Sequence, residues 1–260
     1  MKIFSKDSLI EELINIRAYG WIKNQRPGNA GGVGNTLEDY LGIEENNLPI
    51  PNASEWELKS QRKDTTSLIT LFHMEPSPRA IRFVPRVLLP CYGWYHQEAG
   101  ERYGSEEKSF RQTISGNRRS DRGFMVVVDR ESRRVLISFD SKSVDSRHSD
   151  WLESVKQSVG LDEISPQPYW GFNDLEHKAG TKLLNCFYVR ADVKIENGVE
   201  YFKYSEILIL QKFSIDGFLK ELEAGNAFVD FDARSGHNHG TKFRLQQNRI
   251  PFLYEKVDVV

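Results

Sequence analysis

Near the start of the chain apolar residues recur at helical spacing, Leu9, Leu13 and Ile16, with Ser8 and Glu11 placed as a capping box and Gly20 as a stop. This predicts an amphipathic helix. A second, short helix is expected over 36–41, ended by Gly42, after the glycine-rich stretch Pro27-Gly28-Asn29-Ala30-Gly31-Gly32-Val33-Gly34-Asn35. The turn-like Asn46-Asn47-Leu48-Pro49-Ile50-Pro51-Asn52 follows, and strands are predicted over 56–60, 68–72, 124–128 and 135–139, the last two as a hairpin across 129–134. Further on, the pattern predicts a helix over 174–182, strands over 184–195 and 201–210 paired across Glu196-Asn197-Gly198, and a helix over 214–223 ended by Gly225. Strands over 227–232 and 241–245 close the series. The polar, proline-containing stretch 141–168 carries its own helix near 151–159 and is the expected junction between a lobe of residues 1–165 and one of 166–260, with interleaved lobes as the alternative. The class is α/β, with a mixed sheet.

A chain of 260 residues, 39% apolar and 12% aromatic, suffices for one large domain or two lobes. It has no apolar run of the roughly 20 residues that span a bilayer, and its first residues lack the apolar core of a signal peptide, so a cytoplasmic address is expected. Cys91 and Cys186 lack metal-ligand spacing and are expected to be buried free thiols. The net charge of −2 by itself argues against a polyanionic partner. Its distribution argues the other way: residues 38–57 hold six acids and no base, 108–134 hold eight bases against three acids, and 234–249 hold four bases and no acid. An acidic centre between basic segments suits a metal-using enzyme that acts on a polyanion.

In Glu55-Trp56-Glu57-Leu58-Lys59 successive side chains alternate between faces, so Trp56 and Leu58 turn to the core while Glu55, Glu57 and Lys59 turn away from it. A carboxylate and an ammonium thereby stand side by side. Phosphodiester hydrolysis calls for a cation on the phosphate, and the Glu57 carboxylate with the Leu58 carbonyl suits a hard ion such as Mg²⁺. Lys59 would orient the attacking water or offset charge developing on the phosphate. A surface ion pair is the alternative reading of the same five residues.

Several ordered blocks carry a resemblance: Gly34-Asn35-Thr36-Leu37-Glu38-Asp39-Tyr40-Leu41, Glu45-Asn46-Asn47, Trp56-Glu57-Leu58-Lys59, Leu68-Ile69-Thr70-Leu71-Phe72-His73, Gln112-Thr113-Ile114-Ser115-Gly116-Asn117-Arg118, Tyr204-Ser205 and His237-Asn238-His239-Gly240-Thr241-Lys242-Phe243-Arg244. They resemble the MvaI/BcnI restriction endonucleases over almost the whole chain, with MutH as a more distant relative. The resemblance implies a restriction-endonuclease-like α/β fold, a mixed sheet flanked by helices, with two lobes around a DNA-binding cleft. It implies that Glu57 binds metal, Lys59 assists hydrolysis, Glu38 supports the site from the preceding helix and His73 lines it. Double-stranded DNA is the implied partner, Mg²⁺ (with Mn²⁺ as substitute) the implied cofactor, and a DNA methyltransferase the implied genetic companion. A monomer that cuts the two strands in turn at a short CC-N-GG-type site is the implied mode of action.

One departure bears on the chemistry. Asn52 stands where the family pattern has a metal-binding aspartate; asparagine keeps a ligating carbonyl oxygen but lacks the negative charge. An active natural variant, an engineered substitution, or compensation by Glu45 or Glu55 would each account for it. A binding protein that no longer cuts and a MutH-like nicking enzyme are the alternatives in function.

The glycine-rich loop is no Walker loop, because Asn29 and Asn35 occupy the places of its first glycine and its lysine. The resemblance instead sets Arg26, Asn29 and the loop amides near DNA phosphate. It further implies that Arg244, His237 and His239 read bases, with Asp230 accepting from cytosine and Arg234 as a further reader. Arg111, Arg118, Arg119 and Arg122 are expected to position phosphates.

Overall fold

Ser5, not Ser8, starts the first helix: its hydroxyl accepts from the Ser8 N–H at 3.2 Å, so the expected capping box lies one turn inside the helix. The computed structural model describes residues 4–28, 31–43, 56–63, 65 and 67–260. In chain order the elements are α1 (Lys6–Ala18), β1 (Ile22–Lys23), α2 (Gly32–Leu41), β2 (Trp56–Arg62) and β3 (Leu68–His73). A 3-10 turn (Arg79–Ile81) and a π-helical segment (Val84–Leu88) lead to α3 (Leu89–Tyr92), β4 (Trp94–Tyr95), β5 (Lys108–Ser115), β6 (Arg122–Asp129) and β7 (Arg134–Val144). Then come α4 (Ser149–Val159), β8 (Tyr169–Gly171), α5 (Phe172–Leu183), β9 (Asn185–Glu196) and β10 (Val199–Phe213). The chain closes with α6 (Ile215–Glu223), β11 (Ala227–Arg234), β12 (His237–Asn238), β13 (Lys242–Gln246) and β14 (Tyr254–Val259).

Two units result, and each takes several stretches of chain. The first comprises Met1–Ser67, Ala179–Ser214 and Ile250–Val260; the second comprises Leu68–Lys178 and Ile215–Arg249. A single cut at 165/166, expected from the sequence, does not coincide with these boundaries. The reason is long-range pairing: β9 joins β2 in parallel, Trp56 opposite Asn185, and carries β10 and β14 into the same sheet.

In the first unit the strand order is β1-β10-β9-β2, with β14 also on β10. The β9–β10 hairpin turns through Asn197 (φ 52°) and Gly198 (φ 76°), left-handed conformations that an Asn-Gly pair adopts at low cost. α1 and α2 close one face with Leu9, Leu13, Val33, Leu37 and Leu41, which pack with Trp56, Leu58, Phe187 and Phe202. Begun at Gly32, α2 is longer than its residue pattern predicts. A side chain at Gly32 would meet Asn24 Nδ2 at 2.9 Å, so part of the glycine-rich loop is required by close packing on the buried Asn24.

The second unit holds a sheet ordered β3-β13-β11-β5-β4, with β12 on β11, and a three-stranded sheet β6-β7-β8. β6 and β7 form the expected hairpin. Aromatic rings fill the core: Phe110 lies 5.5 Å from both Phe124 and Phe231, and Phe243 lies 5.0 Å from Phe72 and 5.1 Å from Trp170. Among the described residues no helix is long and apolar enough to cross a membrane.

Candidate active site and nucleic-acid interface

The parallel register of β2 on β9 sets Glu57 opposite Cys186, Lys59 opposite Tyr188 and Gln61 opposite Arg190. Paired residues share a face, so these six side chains form one ladder on the side of the sheet away from Trp56 and Leu58. Lys59 Nζ donates to Glu57 Oε1 at 3.1 Å, Tyr188 Oη donates to Gln61 Oε1 at 3.1 Å, and Arg190 reaches Glu206 Oε2 at 3.1 Å. The Glu57 and Lys59 side chains retain only 6% and 13% of their exposure, which excludes the reading as a solvated surface pair.

Glu57 Oε2 is buried and has no hydrogen-bond partner among the described residues. A carboxylate oxygen removed from water without a donor is expensive, and a bound cation would restore the lost solvation. This orphaned oxygen fits a hard divalent ion. The described residues include no group of three or more His, Cys, Asp or Glu side chains able to hold a metal, and Asn52, Glu45 and Glu55 lie outside them, as does Asn29.

Two titratable groups beside the pair, a thiol and a phenol, are held in their neutral forms by burial. Burial pushes the Cys186 thiol up to about 12; Lys59 pulls it down and Glu57 pushes it further up. Burial likewise raises the Tyr254 hydroxyl well above its ordinary value, with Cys186 and Glu57 adding to the effect. In the folded protein iodoacetamide at pH 8 should therefore modify the half-buried Cys91 and leave Cys186 intact until denaturant is added, as read by peptide mass. Labelling of Cys186 at a rate equal to Cys91 would show that this part of the sheet opens readily.

Glu38 lies half-buried on α2, one turn after Gly34, whose missing side chain would stand 3.6 Å from Ser60 Oγ of β2. Arg26 is paired with Asp39 at 2.8 Å. His73 belongs to the second unit, where it ends β3 opposite Lys242 of β13.

In that second unit β5, β11 and β13 present a polar face. Thr113 Oγ1 donates to Asp230 Oδ1 at 2.7 Å, and Arg244 Nη1 stands 3.5 Å from Asp230 Oδ2. Beside them Asp232 receives Arg111 Nε at 2.7 Å and Lys242 Nζ at 3.4 Å, while Arg234 reaches Glu107 at 3.4 Å. Burial alone would raise the Asp232 pKa, but the hydrogen bond and charge of Arg111, with Lys242 and His239, hold it below the ordinary carboxylate value. His237 and His239, just beyond β11, have ring centroids 4.2 Å apart. Asp230, Arg234, His237, His239, Arg244 and Arg111 are thus gathered in one unit.

Arg118 is exposed, whereas Arg119 is turned inward onto Gly123 O (2.8 Å) and Ser138 (3.2 Å), and Arg122 stacks on Trp94 at 4.1 Å. The latter two are thus engaged by partners within their own unit. Asp232, Lys242 and Thr113 were not singled out from the sequence; the spacing Asp230-x-Asp232-x-Arg234, one face of a strand, is the signal that marks the first of them.

The profile of the MvaI/BcnI restriction endonuclease family matches residues 10–254. A solved structure of the restriction endonuclease MvaI with its cognate DNA substrate is similar at 27% identity and a TM-score of 0.73, covering 98% of this chain and 99% of that one. MvaI in the absence of DNA is similar at 25% identity and a TM-score of 0.57, with 100% of both chains covered. No curated protein matches the chain significantly. The α/β fold is that of a site-specific nuclease acting on DNA. The chain belongs to the MvaI/BcnI restriction endonuclease family.

Proposed function

We propose that the protein hydrolyses duplex DNA at a short GC-rich sequence of the CC-N-GG type, dependent on Mg²⁺, as a monomer that cuts the two strands in turn. The buried Glu57–Lys59 pair with its orphaned carboxylate oxygen carries this reading. Glu57, the Leu58 carbonyl and the Asn52 side chain would hold the ion, with Glu38 in support. When bound, Mg²⁺ polarises the scissile phosphate and favours deprotonation of the attacking water. Lys59 fixes Glu57 and presents an ammonium to charge developing on the phosphate. Water adds across the P–O3′ bond, leaving a 5′-phosphate and a 3′-hydroxyl.

Base recognition is assigned to the polar face of β11 and β13. Arg244 and Arg234 would donate to guanine, His237 and His239 to guanine or accept from cytosine, and Asp230, with the more exposed Asp232 beside it, would accept from cytosine. Arg26, Asn29, Arg111 and Arg118 would meet phosphates, and His73 would line the bound DNA. A cytoplasmic setting and a companion methyltransferase belong to the same reading.

Plasmid DNA incubated with the protein and Mg²⁺ or Mn²⁺ should yield discrete linear fragments, and chelation should stop the reaction. Persistent nicked circles would replace this reading with a strand-nicking enzyme, and retarded but intact DNA with a binding protein disabled by Asn52. In the last case Asn52→Asp should restore cleavage by returning the missing negative charge to the ion site.

A further inference from the structure

A cavity of about 740 Å³ in the second unit draws basic side chains from the 79–82 turn, from α5, and from the end of β11 and the hairpin that follows it. Arg79, Arg82, Lys178, Arg234, His73 and His237 line it, and Glu75 is the acid among its lining residues. One oxygen of that acid already accepts the Thr241 N–H at 2.8 Å. Arg79, Arg82 and the following Arg86, three cations within eight residues, are exposed and have no carboxylate within salt-bridge distance among the described residues.

The backbone there is unusual as well. Arg82 holds a φ of 55°, a left-handed conformation disfavoured for a residue with a side chain, between the 3-10 turn and the π-helical segment. Backbone held in a sparsely populated region next to uncompensated like charges points to a bound anion. Arg234 and His237 line both this cavity and the neighbouring one that holds Arg111, Asp232 and His239 of the face assigned above to base reading, so the anion best placed to fill it belongs to the same DNA.

We propose that Arg79 and Arg82, with Lys178, bind a backbone phosphate of the DNA outside the bases that the hairpin reads. The inference rests on the DNA-binding part of the function proposed above, not on cleavage. Anisotropy titrations of a fluorescent duplex with long flanks, repeated over a range of salt, test it without Mg²⁺. Each neutralised phosphate contributes roughly 0.9 to the slope of log affinity against log salt, so Arg79→Ala/Arg82→Ala, which gives up one phosphate, should lower that slope by about 1. The loss of affinity should be the same for specific and unrelated sequences, and should vanish on duplexes trimmed to the recognised bases.

Arg79→Lys/Arg82→Lys should keep most of the slope, which guards against a variant that is simply misfolded. An unchanged slope in a folded double-alanine protein overturns the proposal, as does a loss confined to one sequence. Inorganic phosphate or a mononucleotide that binds through these arginines while DNA binding stays unaltered also overturns it. Wild-type protein that binds DNA but fails to cut would overturn the proposed hydrolysis and leave this test intact.

Discussion

Lys59→Ala should slow DNA cleavage by about 10²- to 10³-fold, the usual loss when a fixed donor to the reacting charge is removed. The ammonium stands 3.1 Å from Glu57 with both side chains largely withdrawn from solvent, where its charge acts more strongly than it would in bulk water. Removing it also strands the Glu57 carboxylate in a buried place, and stability should fall with it. The two effects separate in measurement: a single-turnover rate at saturating DNA reports the chemistry, while a thermal melt of the same sample reports the fold. Glu57→Gln supplies the complement, since it removes the charge on the other partner and should lose cleavage while sparing DNA affinity measured without metal. Undiminished cutting by a folded Lys59→Ala protein would end the assignment of this pair to catalysis.

How far the site can be read from sequence differs between its parts, for physical reasons. The alternation in Trp56-Glu57-Leu58-Lys59 is local, so the strand and the shared face of Glu57 and Lys59 are legible directly. The burial of Glu57 is not, because it is created by β9 and by Tyr254, more than a hundred residues downstream. The ladder partners Tyr188 and Gln61 are hidden for the same reason.

Local rules failed where tertiary contacts outweighed them. Glycines at 32 and 34 argue against helix, yet α2 starts there because its first turn packs on Asn24. Ser8 and Glu11 match a capping pattern, but Ser5 caps the helix and extends it to Lys6. His73 is marked only by the family resemblance, and the antiparallel pairing of β3 with β13, which its own sequence does not announce, sets it in the second unit. The His237 to Arg244 block was recognised through family resemblance, whereas the Arg111–Asp232–Lys242 cluster needed the cross-strand register.

Phe110→Ala should be the most damaging single change to the second unit. Its ring is fully buried, 5.6 Å from Trp94 and 5.5 Å from both Phe124 and Phe231, so truncation removes aromatic packing shared by three neighbours. Such deletions cost about 3–5 kcal/mol, because the cavity left behind collapses only in part. For a unit of this size each kcal/mol lowers the melting temperature by roughly 2–4 °C, which makes a drop on the order of 10 °C the expected reading. Phe110→Leu should lose much less, since it keeps most of the volume.

The adjacent Arg111 points out of the opposite face of β5 and pairs with Asp232 with half of its side chain in solvent, so Arg111→Ala should move the melt by only about 1 kcal/mol or less. It should instead weaken binding to DNA. Two neighbouring residues on one strand would then divide cleanly, one acting on stability and the other on affinity, as alternation across β5 requires. A Phe110→Ala protein that melts with the wild type would mean that this strand is not the wall between core and reading face.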